Sequence, residues 1–446
     1  MSAVRGSLAR APWMGPARAG LARAPWIGAA VGLVVIAAGL YLRRLAGVVL
    51  GAPYPPSFGS FEPAATPLLA LSAAGFAAAV ALAPRLLAPR VRPAYVAGAL
   101  LAGTLALRLV LAAGRGGTGA WDRVFDPRRS FEAANEYLSG LPALSYGPHY
   151  FLDRFAELVP ALPVHVAGHP PGLLLVAHAL SLTTPARLAA LCIGVGALSA
   201  PLSYGLARTL LDERAARITG LLMALAPGAL LFGVTSADAL YGTLGLLAAW
   251  PLASRAWTLR VLGALLLAVA SLFSWSLLAV GAWAALLALR RDGWRPALAL
   301  AAVCGAVLLV FHAAFAAATG FDPIATIRAT GEVYRAGVAS IRPYWYWVLG
   351  SPVGFLVVLG LPIAWFALRD LAEGSPEAVA IFAVLAIAAV AGFTKAETER
   401  IWLFFAPFVC LCAARALASR PAPLTPVLVA LAAQAVLHEL LFDTVW

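Results

Sequence analysis

The side chains able to do chemistry stand in a few short polar stretches of a 446-residue chain. Asp122 and Asp126 lie four apart in WDRVFDPRRS. An ionised carboxylate there can act as a general base, since it needs only hydrogen-bond reach to the hydroxyl proton it takes. The competing role is local, as a cap or as an ion-pair partner of Arg123, Arg128 and Arg129. The stretch TKAETER at 394–400 holds Lys395, the sole lysine, with Glu397, Glu399 and Arg400. Charges crowded between two apolar runs are functional or paired. A phosphate suits them, with arginine as bidentate clamp and lysine as point charge. Internal pairing of Lys395 with Glu399 and of Glu397 with Arg400 suits them equally. Asp238 follows Thr235 and Ser236 at the start of an apolar run. It can cap a helix N-terminus or complete a polar site facing Asp126. His165 and His169 are four apart, but Gly168, Pro170 and Pro171 interrupt any regular helix, and a catalytic zinc needs three protein ligands.

The elements that must position these groups are membrane spans. Apolar residues make up 62% of the chain and charged ones 12%, with mean hydropathy +0.88. Soluble domains run at about 45–50% and about 25%, so a soluble enzyme, a disordered chain and a collagen-like fibre are excluded. Thirteen apolar runs, at about 27–42, 66–84, 94–113, 187–206, 216–234, 239–254, 259–274, 276–290, 296–318, 346–368, 377–393, 401–419 and 424–441, predict an all-α polytopic membrane protein. The expected architecture is a bundle of about 11–13 transmembrane helices. The stretch HPPGLLLVAHALSLTTPAR has an apolar part of only about a dozen residues between prolines, so it is expected to be interfacial or re-entrant rather than spanning. Cys192, Cys304, Cys410 and Cys412 sit in apolar runs and read as small core residues.

Charge gives the expected sidedness. The net charge of +12 and isoelectric point near 10.1 would suggest nucleic acid in a soluble protein. Here the arginines fall in alternate short loops, at 85–92, 208–217, 255–260, 290–295, 369 and 415–420, as the positive-inside rule requires of cytoplasmic loops. No nucleic-acid partner is expected. The other side receives the long loop 114–185, the turn at 236–238, the loop 319–345 and the turn at 394–400, and with Glu62, Glu439 and Asp443 it holds fourteen of the twenty acids. In the long loop, SFEAANEYLS and YFLDRFAELV have helical amphipathic spacing and are expected to lie in the membrane surface. Tyr344, Trp345, Tyr346 and Trp347 read as an interface belt. The organisation expected is a basic cytoplasmic tail at 1–26, two additional helices at 27–93, a transmembrane module at 94–290 and C-terminal helices at 291–446.

The order of these features resembles a known superfamily. An early Asp in a long outer loop, two surface segments, a Pro-Pro element at 168–171, an Arg-led span at Arg187-Leu188 and an AP…TSADAL turn follow one another. This is similar to the membrane-embedded GT-C glycosyltransferases, the group of protein O-mannosyltransferases, aminoarabinose transferases and actinobacterial cell-wall transferases. The resemblance covers about residues 94–290 and, more loosely, the ETERIW turn. It implies a multi-pass enzyme of the plasma membrane whose active site is extracytoplasmic. It implies transfer of a sugar from a polyprenyl-phosphate donor to an extracytoplasmic acceptor, with inversion. The family's catalytic Asp falls on Asp126, with Asp122 as second choice; Pro127 stands where that family usually has Glu. Asp238 matches the second acidic position. Lys395 and Arg400 are expected to stabilise the departing phosphate, with Glu397, Glu399, His169 and Asp153 completing the donor-binding set. The resemblance assigns no definite cofactor, and a divalent cation, Mg or Mn, could share the phosphate role. The rival class is a secondary transporter or lipid flippase, which would place ionisable residues near the bilayer midplane.

Overall fold

The computed structural model describes residues 23–419 and 424–444. Most of the expected basic tail at 1–26, and Arg420, lie outside the described residues. All thirteen apolar runs fold as helix, several with a break. Numbered in chain order, the principal helices are α1 (Ala24–Arg44), α2 (Pro67–Leu86), α3 (Pro93–Gly116), α4 (Pro185–Ala197), α5 (Ser199–Leu210), α6 (Glu213–Leu225), α7 (Pro227–Thr235) and α8 (Asp238–Leu252). They continue as α9 (Trp257–Ser271), α10 (Leu278–Asp292), α11 (Trp294–Thr319), α12 (Pro323–Ala336), α13 (Tyr344–Leu359), α14 (Leu361–Glu373), α15 (Pro376–Ala391), α16 (Ala406–Ala418) and α17 (Leu424–Leu441). One two-residue antiparallel ladder pairs Ser60–Phe61 with Phe442–Asp443.

The chain is an all-α, multi-pass membrane bundle. Among the described residues, six helical stretches are long and apolar enough to cross a bilayer, and two bent pairs raise the number to eight. Other apolar runs form helices of 13 to 16 residues, which at 1.5 Å per residue reach about 20–24 Å, short of a hydrocarbon core of about 30 Å. Counting apolar runs therefore gives more spans than helix length alone supports. The outward faces are apolar: Leu33, Val34, Leu309 and Val310 are among the most exposed large side chains.

The two bends have local causes. Ala226 precedes Pro227, which disfavours helical backbone at the residue before it. Ala226 is extended (ψ 118°) and α6 meets α7 at 53°. Between α13 and α14 the chain turns by 116° at Gly360, whose φ of 140° favours glycine. Gln434 of α17 repairs the break. Its Oε1 accepts from Leu361 N at 2.9 Å, and its Nε2 donates to Val357 O at 2.7 Å. Both backbone groups would otherwise be unmet in an apolar medium.

Polar loops gather at the two ends of the bundle. At one end the buried Arg217 donates to the carbonyls of Leu86, Ala88 and Val91 and to Glu213. Asp292 there collects Arg255, Arg260 and Arg291. At the opposite end the loops 46–64, 114–185, 319–345 and 394–400 pack on one another. Thr330 Oγ1 donates to Ala167 O, and Tyr334 Oη accepts from Lys395 N.

The long loop departs from its expected form. In place of two surface helices it forms short pieces: Phe131–Ala134, a 3-10 stretch at Tyr137–Leu144, Pro148–Asp153 and Phe155–Leu158. Ser130 caps the first, but Glu136 is extended and Gly140, Pro142, Gly147 and Pro148 prevent a longer helix. Tyr137, Leu138, Phe151 and Phe155 are buried, so this loop is a packed cap. The element Gly172–Ala179 has eight residues, about 12 Å, too short to span.

Candidate functional site

The sequence-predicted residues divide into a rim and a buried network. Asp126 belongs to the rim. It ends a 3-10 turn at Arg123–Phe125 and accepts from Arg128 through both oxygens, at 2.9 and 3.1 Å, and from Arg128 N at 3.2 Å. Arg129 stands 3.6 Å away. The Asp126 side chain is 11% exposed, whereas Arg128 is 86% and Arg129 63% exposed. The carboxylate is thus largely buried while its two arginine partners are exposed. The Arg128 hydrogen bond, reinforced by both cations, holds its pKa below the usual value. Asp126 is ionised, as a general base must be. Asp122 is half-buried one turn earlier, and its carbonyl accepts from Phe125 N.

The network lies where the turn 394–400 meets the start of α8. Ala396 and Glu397 both have positive φ, 64° and 56°, a left-handed conformation costing non-glycine residues about 1–2 kcal/mol each. That turn aims Glu397 inward to bridge Arg342 (2.5 Å) and Arg400 (2.8 Å). Arg400 reaches Asp238 Oδ2 at 2.6 Å, and Ser236 Oγ donates to the same oxygen at 2.5 Å. The result is a buried row of alternating charge: Arg342, Glu397, Arg400, Asp238. Beside it lie Glu136, with His165 Nε2 at 3.7 Å, and His169, whose ring centroid is 5.0 Å from that of Tyr241 and 6.5 Å from that of Tyr137. The Tyr137 and Tyr241 hydroxyls share a hydrogen bond. Glu136 Oε2 and His169 Nδ1 are buried with no hydrogen-bond partner among the described residues.

Burial and charge set the protonation here. Burial pushes the Glu136 carboxyl up to about 8, with Arg400 pulling down and Asp238 pushing up. Burial pushes His165 down to about 3 and His169 down to about 4. Glu397 is held at about 2 because Arg400 and Arg342 outweigh the burial that would raise it. At neutral pH the pocket therefore holds a protonated acid and two neutral imidazoles beside a balanced ion-pair row.

Other expected donor ligands are engaged locally. Lys395 Nζ donates to the carbonyls of Ala339 and Arg342, each at 2.9 Å, tying the loop 319–345 to the turn. Glu399 Oε1 accepts from Phe58 N at 2.7 Å, and burial pushes this carboxyl up to about 7. The expected Lys395–Glu399 pair is therefore replaced by two tethers to other loops, while the Glu397–Arg400 pair forms. Asp153 is half-exposed beside Arg154 at 3.7 Å, away from the network. The structure thus brings together Asp238, Glu397, Arg400 and His169, with Glu399 at their edge and Lys395 bonded to the backbone of Arg342 at the end of the row, and leaves Asp126, Asp122 and Asp153 outside. Glu136, Tyr137, Tyr241 and Arg342 were missed. Only Glu136 carried a sequence signal, an acid on the amphipathic stretch, and nothing in its spacing to 238 or 400 announces a contact. Of the interface belt, Tyr344 and Trp345 are exposed, but Tyr346 and Trp347 are buried, Trp347 Nε1 donating to Leu50 O. Among the described residues no three His, Cys, Asp or Glu side chains converge as a metal site, so the residues present do not fit a divalent cation held by protein ligands alone. The sequence matches no protein-family model and no curated protein.

Proposed function

We propose that this chain is an integral membrane glycosyltransferase of GT-C type, moving a sugar from a polyprenyl-phosphate donor to an extracytoplasmic acceptor. The observation that carries the reading is Asp126, an ionised carboxylate paired with two exposed arginines at the loop end of a lipid-facing bundle. A donor phosphate entering from the bilayer competes with Asp126 for Arg128 and Arg129, which frees the base as it seats the leaving group. The acceptor hydroxyl then gives its proton to Asp126 while its oxygen bonds the anomeric carbon. The bond from that carbon to the phosphate oxygen breaks on the opposite face, and the electron pair leaves with the polyprenyl phosphate, stabilised by the two guanidiniums. One displacement inverts the centre. The buried row from Arg342 to Asp238 ties the turn 394–400 to the loop 319–345 and to the start of α8. Physics supports a lipid-borne donor: nucleotide sugars are cytoplasmic, so an outward-facing transferase needs one delivered in the membrane.

The test is transfer from a synthetic polyprenyl-phosphate sugar in proteoliposomes. Asp126→Asn keeps the side-chain shape and should lower the rate by about 10²–10⁴, the usual range for a lost general base. Transfer at the unmodified rate would remove Asp126 from the mechanism. One observation favours the transporter reading instead. Arg108 is fully buried within α3, bonded to Ser199 Oγ at 3.1 Å, with two of its nitrogens unpartnered among the described residues. Solute uptake without transfer, abolished in Arg108→Gln, would establish that class.

A further inference from the structure

A groove of about 590 Å³ opens at the end of α1, lined by Arg43, Arg44, Pro53, Tyr54, Ser60 and Phe61. We propose that it binds the headgroup phosphate of an anionic phospholipid, independently of the transferase reading.

The argument begins with charge. Arg43 and Arg44 form the last turn of α1, at the end of the bundle where the acidic loops gather. The positive-inside pattern gives no reason for two adjacent arginines there. Both are exposed, and among the described residues neither has a carboxylate within ion-pair range. The Arg44 guanidinium lies 5.0 Å from the centroid of the Tyr54 ring. That stacking fixes its plane and leaves its edge N–H groups free for an oxyanion. The C-terminal helix dipole would account for a cation at this position, but not for the walled groove beside it. The wall is built: Tyr54, Phe61 and Phe442 pack with centroids 5.7–6.1 Å apart. The strand pairing of Ser60–Phe61 with Phe442–Asp443 holds them there. Ser60 adds a hydroxyl at the rim.

The hydrocarbon surface decides between a lipid and a free anion. Toward the start of α1 from the arginines, Leu33, Val34 and Tyr41 are all more than half exposed, an apolar face for acyl chains. A phosphate held at Arg43 and Arg44 would sit where the tails of its own molecule run down this helix. Paired guanidiniums hold a phosphate through charge-assisted, bidentate hydrogen bonds.

The experiment uses the full chain in neutral detergent, titrated with phosphatidylglycerol or phosphatidylcholine and followed by native mass spectrometry. One saturable phosphatidylglycerol adduct is expected, with affinity reduced at least about tenfold in Arg43→Gln/Arg44→Gln, as for the loss of a charge-assisted bidentate contact. Because both arginines are exposed, the double variant should unfold at the same temperature as the parent. The charge-conserving Arg43→Lys/Arg44→Lys should bind with intermediate affinity. Equal binding by the parent and the Gln variant, or equal affinity for the two lipids, overturns the proposal. Millimolar inorganic phosphate that displaces the lipid completely would make this a free-anion site, which also overturns it.

Discussion

At the residue scale, the two acids of the long loop have opposite environments. Asp126 is held ionised by two surface arginines, and Glu136 is held protonated by burial. The second case makes a pH prediction. A carboxyl whose pKa rises from 4.5 to about 8 on folding binds its proton more tightly in the folded state. Its contribution is intact below the unfolded value and is lost progressively as pH rises toward the folded one. The stability of the parent relative to Glu136→Gln in detergent should therefore fall between about pH 4.5 and pH 8. Glu136→Gln, neutral throughout, should be the more stable protein at the alkaline end. Unchanged slopes in the variant would mean that Glu136 titrates normally. The two imidazoles pull the other way, because burial lowers His165 from 6.5 to about 3 and His169 to about 4. Both raise stability as pH climbs to about 6.5; they are common to parent and variant and cancel in the difference.

At the element scale, the bend between α13 and α14 gives the sharpest expectation. Gln434 serves both broken backbone ends at once. Gln434→Leu leaves a carbonyl and an amide unmet in an apolar setting, and each should cost about 1–3 kcal/mol. A drop of several degrees in the thermal midpoint is expected, with the apolar surface unchanged. A midpoint within a degree of the parent would mean that the bend relaxes or that lipid and water replace the amide. The bend sends α14 off at 116° from α13, so the run 346–368, read from sequence as one span, is two helices joined at a sharp corner. Its glycine and proline were visible in the sequence; the angle was not, because nothing local specifies where Gln434, more than seventy residues on, will lie.

At the scale of the whole molecule, the convergence of four loops at one end makes a topological prediction. The native cysteines are all buried, so introduced thiols report alone. His149→Cys in the exposed loop should react with a membrane-impermeant maleimide on intact cells. Arg90→Cys, at the opposite end, should react only after permeabilisation. The reverse pattern would invert the bundle and place Asp126 in the cytoplasm, where a lipid-borne donor is no longer required.

The sequence by itself determined the fold class, because apolar run length and arginine periodicity are one-dimensional properties that a bilayer reads directly. It also marked the polar stretches at 122–129, 236–238 and 394–400. Only the tertiary structure decided which of these meet. Asp238 and Arg400, 162 positions apart, form one ion pair. Lys395, the most conspicuous residue in the chain, became a tether between loops. Glu136 and Arg342 entered the network unannounced. Partners across such separations are set by helix packing and by the turn at Ala396–Glu397, which depend on contacts between distant segments. Local pattern carries hydrophobicity and charge, and the pairing of charges is a property of the assembled bundle.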